Sequence, residues 1–348
     1  MSDTLTSTAD ARADNDQELL LEMEDLHVEF DTYRGTVYAL DGVDLDIRAG
    51  ETVGLVGETG CGKTVTARSI LGLVEDPGHV TAGSIRYKGT DLLDLPDEEM
   101  RDIRGSDISM VFQEPTKSLN PAFTVEQQLT SIITHHLDVG QAEARSRAID
   151  VLEDLGLPDA EEILESYPHE LSGGMAQRVL IALALACEPD LILADEPTTA
   201  LDVTIQAQIL DLFDRIQEEF GTSILLITHN LGVVDQVCDR VNVMYAGKVV
   251  ESGPTQTVFD DPEHPYTIGL LRALPEQAEG AISLIEGDVP DLRNPPEGCR
   301  FEPRCPVAKA ECETYDPPPT ATAADRMVRC IHYETDQPGS VEEIYDEL

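Results

Sequence analysis

A glycine-rich loop near the start of the chain has the residue types and spacing of a phosphate-binding site. The pattern G-x4-G-K-[ST] is met at every defined position by one run, Gly57-Glu58-Thr59-Gly60-Cys61-Gly62-Lys63-Thr64. Its glycines allow backbone N–H groups to point into one cavity, and a helix that begins there adds partial positive charge. Lys63 would reach the β- and γ-phosphates of a nucleotide, and the Thr64 hydroxyl would ligate Mg²⁺. We predict that this loop, together with Thr66 in the following helix, binds a nucleoside triphosphate.

An apolar run that ends in two carboxylates predicts a second part of the site, which would bind Mg²⁺ and the water that attacks the phosphate. The run is Leu191-Ile192-Leu193-Ala194-Asp195-Glu196. A carboxylate at the end of a buried strand beside the phosphate loop can hold Mg²⁺, and the next carboxylate can polarise the attacking water. We assign the first role to Asp195 and the second to Glu196.

Short buried strands that alternate with helices must position these residues. Residues 52–56 form a predicted strand that runs into the loop, and residues 63–73 have helical composition. Residues 37–48 alternate apolar with polar side chains, which is the period of a half-buried strand. Further strands are predicted at 108–112, 190–194, 223–228 and 240–245, and further helices at 141–155 and 205–220. This alternation predicts an α/β fold with a parallel sheet covered by helices.

The composition of the chain is extremely acidic. Its 348 residues include 68 acidic and 23 basic side chains, which gives a formal net charge of −45. Such a surface repels polyanions, so we expect no nucleic-acid partner. The Debye length falls to about 3 Å at 1 M salt, and the charge therefore indicates a halophilic protein of a high-salt cytoplasm. Residues 1–18 are polar and acidic and are expected to form a disordered tail.

The part of the chain beyond Gly253 is rich in proline and is predicted to be a separate, irregular module. It contains four of the seven cysteines in the spacing C-x5-C-x6-C-x17-C, namely Cys299, Cys305, Cys312 and Cys330. In a cytosolic protein such a cluster favours metal over disulfides. Four thiolates can ligate a [4Fe–4S] cluster or tetrahedral zinc. The spacing favours the cluster, and zinc or no metal are the alternatives.

Four arginines of this module are unusual in so acidic a chain. They are Arg300, Arg304, Arg326 and Arg329. Two interpretations are open at this point: the guanidinium groups offset the negative charge of the thiolates, or they are ordinary surface side chains.

Segments in a fixed order along the chain resemble the motifs of the ABC ATPase family. After the phosphate loop comes Gln113 in Phe112-Gln113-Glu114-Pro115, which is similar to the Q-loop, and then Ser172-Gly173-Gly174-Met175, which is similar to the signature motif. Next come Asp202 in Ala200-Leu201-Asp202, which is similar to the D-loop, and His229 in Thr228-His229-Asn230, which is similar to the H-switch. Tyr33 resembles the aromatic platform for adenine. The resemblance covers roughly residues 20–255.

The resemblance implies a P-loop NTPase core over residues 19–255, with a parallel sheet, an antiparallel β subdomain and a helical insert at about 97–175. It also implies that two subunits sandwich two ATP molecules, so that Ser172, Gly173, Gly174, Met175 and Asp202 of one subunit face the nucleotide of the other. Gln113 would contact Mg²⁺ and the water, and His229 would hold the γ-phosphate. Lys63 and Glu196 complete the implied catalytic set.

Three further segments narrow the resemblance to the ATPases of oligopeptide, dipeptide and nickel importers. They are Ser172-Gly173-Gly174-Met175-Ala176-Gln177-Arg178-Val179, Thr116-Lys117-Ser118-Leu119-Asn120-Pro121 and His264-Pro265-Tyr266-Thr267. The signature has Met175 where a glutamine is usual, and methionine lacks the hydrogen bond of that amide. Residues 256–348 resemble the C-terminal extension of these ATPases, in which iron–sulfur ligation occurs in some members.

This narrower resemblance implies a peripheral subunit on the cytoplasmic face of the membrane. Its partners would be an identical or sibling ATPase, two membrane permeases and, indirectly, an extracellular solute-binding protein. A soluble ABC ATPase that acts on DNA or the ribosome is the alternative. The missing second nucleotide cassette and the missing long coiled coil disfavour it.

Overall fold

The computed structural model describes residues 18–113, 115–199, 202–274, 285–334 and 341. The predicted tail falls outside this part of the chain, apart from Glu18. The strands are β1 (Leu19–Thr32), β2 (Gly35–Arg48), β3 (Thr52–Val56), β4 (Gly78–Tyr87), β5 (Thr90–Asp91), β6 (Ile108–Val111), β7 (Leu191–Asp195), β8 (Ser223–Thr228), β9 (Arg240–Tyr245), β10 (Lys248–Pro254), β11 (Thr320–Ala323) and β12 (Arg326–Val328).

The helices alternate with the strands of the core and are concentrated between β6 and β7. They are α1 (Lys63–Ile70), α2 (Asp97–Ile103), α3 (Pro115–Ser118), α4 (Val125–His136), α5 (Gln141–Asp154), α6 (Ala160–Glu165), α7 (Gly173–Leu185), α8 (Val203–Phe220), α9 (Leu231–Val237), α10 (Thr255–Asp260) and α11 (Pro265–Arg272). No helix in the described ranges has the length and apolar character needed to cross a membrane.

A four-stranded antiparallel sheet packs beside the loop, in the order β2-β1-β4-β5. The alternation in β2 buries Val43, Leu45 and Ile47, as the sequence pattern predicts. A two-residue turn joins β1 to β2, because Thr32 pairs with Gly35 across it. This sheet corresponds to the antiparallel β subdomain.

The main sheet has the strand order β11-β12-β10-β9-β3-β8-β7-β6, and its strands from β9 to β6 are parallel. Alternate residues of β8 pack into different cores: Ile224 and Leu226 face the helical side, whereas Leu225 and Ile227 face the antiparallel sheet. Burial on both faces explains the continuous apolar character of these strands. The predicted α/β fold with a parallel sheet is confirmed.

One feature of the chain differs from the sequence-based expectation. The C-terminal module is not wholly irregular, because β11 and β12 form a hairpin that pairs with β10 and extends the main sheet. The exposed hydrogen-bonding groups of an edge strand accept such an addition. The strand predicted at 108–112 is confirmed as β6, which pairs with β7 in the main sheet although it lies between helices of the insert.

Candidate functional site

The phosphate loop connects the end of β3 to the start of α1, and two of its glycines are required by its shape. Gly57 has φ 154° and Gly62 has φ 112°. A Cβ on Gly57 would lie 2.1 Å from the Met244 carbonyl oxygen, and one on Gly62 would lie 2.6 Å from the Met244 side chain. Positive φ and close packing both exclude other residue types here. The loop is therefore held against β9.

The lysine and threonine of the motif are anchored at the start of α1. Lys63 Nζ donates hydrogen bonds to the carbonyl oxygens of Gly57 at 2.8 Å and Glu58 at 3.1 Å. The Thr64 hydroxyl donates to Asp195 Oδ1 at 3.3 Å, which joins the loop to the end of β7. Burial raises the pKa of Asp195, and the Thr64 hydrogen bond partly opposes this. A hydroxyl and a carboxylate in contact are suitable oxygen ligands for Mg²⁺.

Glu196 is the centre of a polar cluster at the carboxyl ends of three parallel strands. Its carboxylate accepts hydrogen bonds from Gln113 Nε2 at 2.6 Å and Thr199 Oγ1 at 2.9 Å, and it lies 3.0 Å from His229 Nδ1. Burial acts to raise the pKa of Glu196, but the bonds from His229 and Thr199 outweigh it and lower the pKa. The side chain is thereby kept ionised, as the group that polarises a water must be.

The backbone of Glu196 adopts the left-handed conformation, with φ 46°. This conformation is unfavourable for a residue with a Cβ and occurs where the surroundings enforce it. Here the Glu196 N–H donates to the Ile227 carbonyl oxygen at 2.8 Å, which holds the residue at the end of β7.

Lys63, Thr64, Gln113 and Glu196 line one cleft of about 470 Å³, whereas Asp195 and His229 lie outside its lining and contact Thr64 and Glu196. Its wall combines the loop and catalytic residues with apolar side chains, and the lining residues are Phe30, Thr32, Val37, Ala39, Thr59, Gly60, Gly62, Lys63, Thr64, Val65, Gln113, Glu196 and Leu292. Phe30 precedes the β1–β2 turn and Leu292 comes from the C-terminal module. Sequence reasoning missed both.

Other residues assigned to the site lie outside the lining of this cleft. Tyr33 is in the β1–β2 turn, 91% exposed, and its ring lies beside Arg34. Cys61 is buried under the loop, 3.8 Å from Lys63 Nζ, and burial raises the pKa of its thiol. The Thr66 hydroxyl is turned back to the Gly62 carbonyl oxygen at 3.2 Å. The structure therefore brings Phe30, and not Tyr33, to the cleft.

Comparison with known proteins agrees with this geometry. Residues 40–199 match the family described as "ABC transporter", and residues 250–312 match "Oligopeptide/dipeptide transporter, C-terminal region". The dipeptide transport ATP-binding protein DppD of Bacillus subtilis is 50% identical over 316 residues, which cover 90% of this chain and 94% of that protein. The chain belongs to the ABC transporter family of ATP-binding proteins.

More distant relatives agree with this assignment. The oligopeptide transport ATP-binding protein OppD of Salmonella typhimurium is 46% identical over 330 residues, which cover 94% of this chain and 98% of that protein. A solved dimeric ATP-binding cassette, MJ0796 in a post-hydrolysis state with ADP and Pi, has 29% identity and a TM-score of 0.62, covering 68% of this chain and 99% of that one. This ABC ATPase binds ATP and hydrolyses it to ADP and phosphate.

The signature residues of this ABC ATPase line a different cleft of the subunit. Ser172 caps helix α7, and its Oγ accepts the Met175 N–H at 3.4 Å. Asp202 caps helix α8 in the same way, accepting the Ile205 N–H at 3.0 Å. Ser172, Gly174 and Met175 share a cleft of about 550 Å³ with α8. Of the D-loop segment, Ala200 and Leu201 lie outside the described residues.

The four cysteines of the C-terminal module lie in one neighbourhood. The Cys299 N–H donates to the Cys312 carbonyl oxygen at 2.9 Å. Burial raises the pKa of Cys299 to about 11 and the pKa of Cys305 and Cys330 to about 12. Across the described ranges, no group of three or more His, Cys, Asp or Glu is arranged to hold a metal ion. The iron–sulfur expectation stays a prediction.

The four arginines of this module follow neither interpretation offered by the sequence. They are buried or nearly so, and each pairs with a carboxylate of the core: Arg300 with Asp41, Arg304 with Glu58, Arg326 with Glu251 and Arg329 with Asp44. Pairing of this kind compensates buried charges. These arginines therefore join the module to the ATPase core and do not serve the thiolates.

Proposed function

We propose that this chain supplies the energy for uptake of dipeptides or oligopeptides as the ATP-hydrolysing subunit of an importer. The peptide-transport names of DppD and OppD, together with the match of residues 250–312, support this assignment. The observation that carries it is one cleft lined by the phosphate loop, Gln113 and Glu196, in a chain with that C-terminal region. Asp195 accepts the Thr64 hydroxyl and His229 lies beside Glu196, so both contact residues of this lining.

In this proposal the phosphate loop and Lys63 bind the β- and γ-phosphates. Thr64, Asp195 and Gln113 would hold Mg²⁺, which neutralises charge that develops on the transferred phosphoryl group. Glu196 polarises a water for in-line attack on the γ-phosphorus, while His229 orients Glu196 and contacts the γ-phosphate. The polar cluster around Glu196 supports the roles of Gln113 and His229, because Gln113 Nε2 and His229 Nδ1 already lie within hydrogen-bond distance of the Glu196 carboxylate.

The base of the nucleotide would pack against Phe30. This assignment replaces Tyr33, because Phe30 and Val37 form the apolar part of the cleft on the side of the β1–β2 turn. Aromatic side chains stack on bases without needing a defined hydrogen-bond pattern.

The chain would act as an ATP-sandwiched dimer with itself or a sibling ATPase, on two permeases at the cytoplasmic face of the membrane. The dimeric MJ0796 cassette and the separate position of the signature cleft support this arrangement. The partner subunit's Ser172 would then face the γ-phosphate bound here. In a Glu196→Gln background, Met175→Gln should strengthen the ATP-dependent dimer, as measured by light scattering at a series of ATP concentrations.

The deciding experiment is purification with the adjacent permeases in molar KCl, followed by ATPase assays in vesicles. Hydrolysis stimulated by a peptide-loaded binding protein supports the proposal, and Glu196→Gln is the inactive control. Failure to copurify with a membrane subunit, with stimulation by DNA or ribosomes instead, would favour the alternative class.

The four-cysteine site is proposed to hold a [4Fe–4S] cluster, or else zinc. The spacing and the shared neighbourhood of the four thiols support this. The described conformation is not a ligand set, and metal uptake would have to remove protons from thiols whose pKa is raised. Iron, sulfide and zinc analysis after anaerobic purification separates these outcomes from the absence of any metal.

A further inference from the structure

Arg304 of the C-terminal module reaches the phosphate loop of its own chain. Its guanidinium donates two parallel hydrogen bonds to the Glu58 carboxylate, from Nη1 to Oε2 at 2.7 Å and from Nη2 to Oε1 at 3.1 Å. The side chain of Arg304 is 4% exposed, and that of Glu58 is 30% exposed. A bidentate pair of this kind is strong and directional.

Arg304 is itself fixed from several sides. Its Nε donates to the Glu286 carbonyl oxygen at 3.1 Å, and Nη1 contacts the Tyr245 hydroxyl at 3.3 Å. The guanidinium carbon lies 5.7 Å from the centre of the Tyr245 ring. A side chain held this firmly positions its partner, because little conformational freedom remains to be lost.

The backbone of Glu58 is held by a second residue of the C-terminal module. The Glu58 N–H donates to the hydroxyl of Tyr266 at 2.9 Å, and Tyr266 is fully buried in α11. Glu58 is thus fixed through both its backbone and its carboxylate, whereas its carbonyl oxygen accepts a bond from Lys63.

The C-terminal module also forms part of the cleft wall. The Leu292 carbonyl oxygen accepts the Tyr38 N–H at 2.9 Å, and the Leu292 side chain lines the cleft. The module therefore touches the site at its apolar wall and at its phosphate loop.

A carboxylate inside an anion-binding loop repels the polyphosphate that the loop must bind. We propose that Arg304 is a positioning residue for ATP: it neutralises Glu58, turns its carboxylate away from the phosphates and so makes nucleotide affinity depend on the docked C-terminal module. This inference rests on the proposed assignment of the cleft to ATP. It adds a residue 246 positions from Glu58 in the chain to the nucleotide site.

The test compares nucleotide affinity and folding stability in four variants of the full chain, using fluorescent ATP and ADP analogues. We expect Arg304→Met to raise the dissociation constant for ATP about tenfold, the scale of one charged hydrogen-bonded pair. The loss for ADP should be smaller, because ADP carries less charge. Adding Glu58→Gln to Arg304→Met should restore ATP affinity, since the repelling charge is then gone.

Two variants separate positioning from general loss of docking. Arg300→Met, also in the C-terminal module, breaks the pair between Arg300 and Asp41 of the core and alters no contact with the phosphate loop. Glu58→Gln alone removes the repelling carboxylate and leaves the Arg304 cation beside the loop, so it is expected to raise ATP affinity. The proposal is overturned if Arg300→Met weakens ATP binding as much at equal loss of stability, if the double variant shows no rescue, or if Glu58→Gln alone does not raise ATP affinity.

Failure of the proposed function would look different. Absence of ATP binding by the unmodified chain would overturn the ATP assignment and this inference together. Normal binding that Arg304→Met leaves intact would overturn this inference alone.

Discussion

His229 Nδ1 lies 3.0 Å from Oε1 of Glu196, across 33 residues of chain. The two residues follow neighbouring parallel strands, β8 and β7, whose carboxyl ends meet at the same edge of the sheet. A carboxylate oriented by an imidazole and an amide is prepared for one geometry of water attack. This relationship sets the first prediction.

Glu196→Gln should reduce ATP turnover about 100-fold or more, because general-base groups contribute on this scale. The amide retains the size of the side chain, so ATP binding should persist. Single-turnover hydrolysis and the ATP dissociation constant measure the two effects. Glu75→Gln, an exposed carboxylate outside the cleft, is the matched control. Unchanged turnover in Glu196→Gln would remove the assigned role.

Phe30→Ala should weaken ATP binding roughly tenfold, the usual scale of aromatic stacking on a base. Binding of inorganic tripolyphosphate should be unaffected, because that ligand has no base to stack. Tyr33→Ala, in the exposed turn, should leave both ligands unchanged. Titration of each variant with ATP and with tripolyphosphate measures these effects. A loss of ATP affinity confined to Tyr33→Ala would favour Tyr33 as the residue that packs against the base.

His264 should make folding stability sensitive to mild acid. Its side chain is buried at the start of α11, where Nδ1 accepts the Tyr266 N–H at 3.0 Å, and burial lowers the pKa of the imidazole to about 3. Between that value and the ordinary pKa of about 6.5, the unfolded chain binds a proton that the folded chain does not. Stability should therefore decrease as the pH falls through this range.

The measurement is the difference in free energy of unfolding between the natural chain and His264→Asn, from pH 7 to pH 5 in molar KCl. Asparagine can still cap the helix, so the variant should lose less stability in acid. His79→Asn, on an exposed position of β4, controls for loss of a histidine. Parallel curves for the natural chain and His264→Asn would contradict the prediction.

Salt should stabilise the fold. With a formal net charge of −45, the compact state suffers self-repulsion that dissolved ions screen. The midpoint of thermal unfolding should rise steadily as KCl is increased to molar concentration. Glycerol at equal osmolality, which adds no ions, is the control. A midpoint independent of KCl would contradict the inferred high-salt adaptation.

The elements that were predictable from sequence are those with local patterns. The phosphate loop is a contiguous motif, and the alternation of Val43, Leu45 and Ile47 identifies β2 directly. The family resemblance points to Tyr33, which lies in the β1–β2 turn. A turn residue points to solvent, however, whereas Phe30 on the strand before the turn faces the cleft. The sequence pattern of β1 indicates this orientation, because Val28 and Phe30 occupy alternate positions of the strand and therefore share one face.

Contacts over long sequence distances could not be predicted in this way. Arg304 and Glu58 meet because the C-terminal module folds back over β9. The spacing of residues near either position does not predict this long-range contact. The hairpin of β11 and β12 was missed for a related reason. Its strands have four and three residues, which is too short for a period of two to be recognised.

Pairing of β12 with β10 has a consequence for where the chain can be divided. Glu251 on β10 is completely buried, with Arg326 Nη2 at 3.1 Å from its carboxylate. Expression of residues 19–255 alone would leave that carboxylate without its cation and would uncover the hydrogen-bonding edge of the sheet, inviting aggregation. Residue 255 is thus not a physical seam, and the ATPase core and the C-terminal module are expected to fold together as one unit.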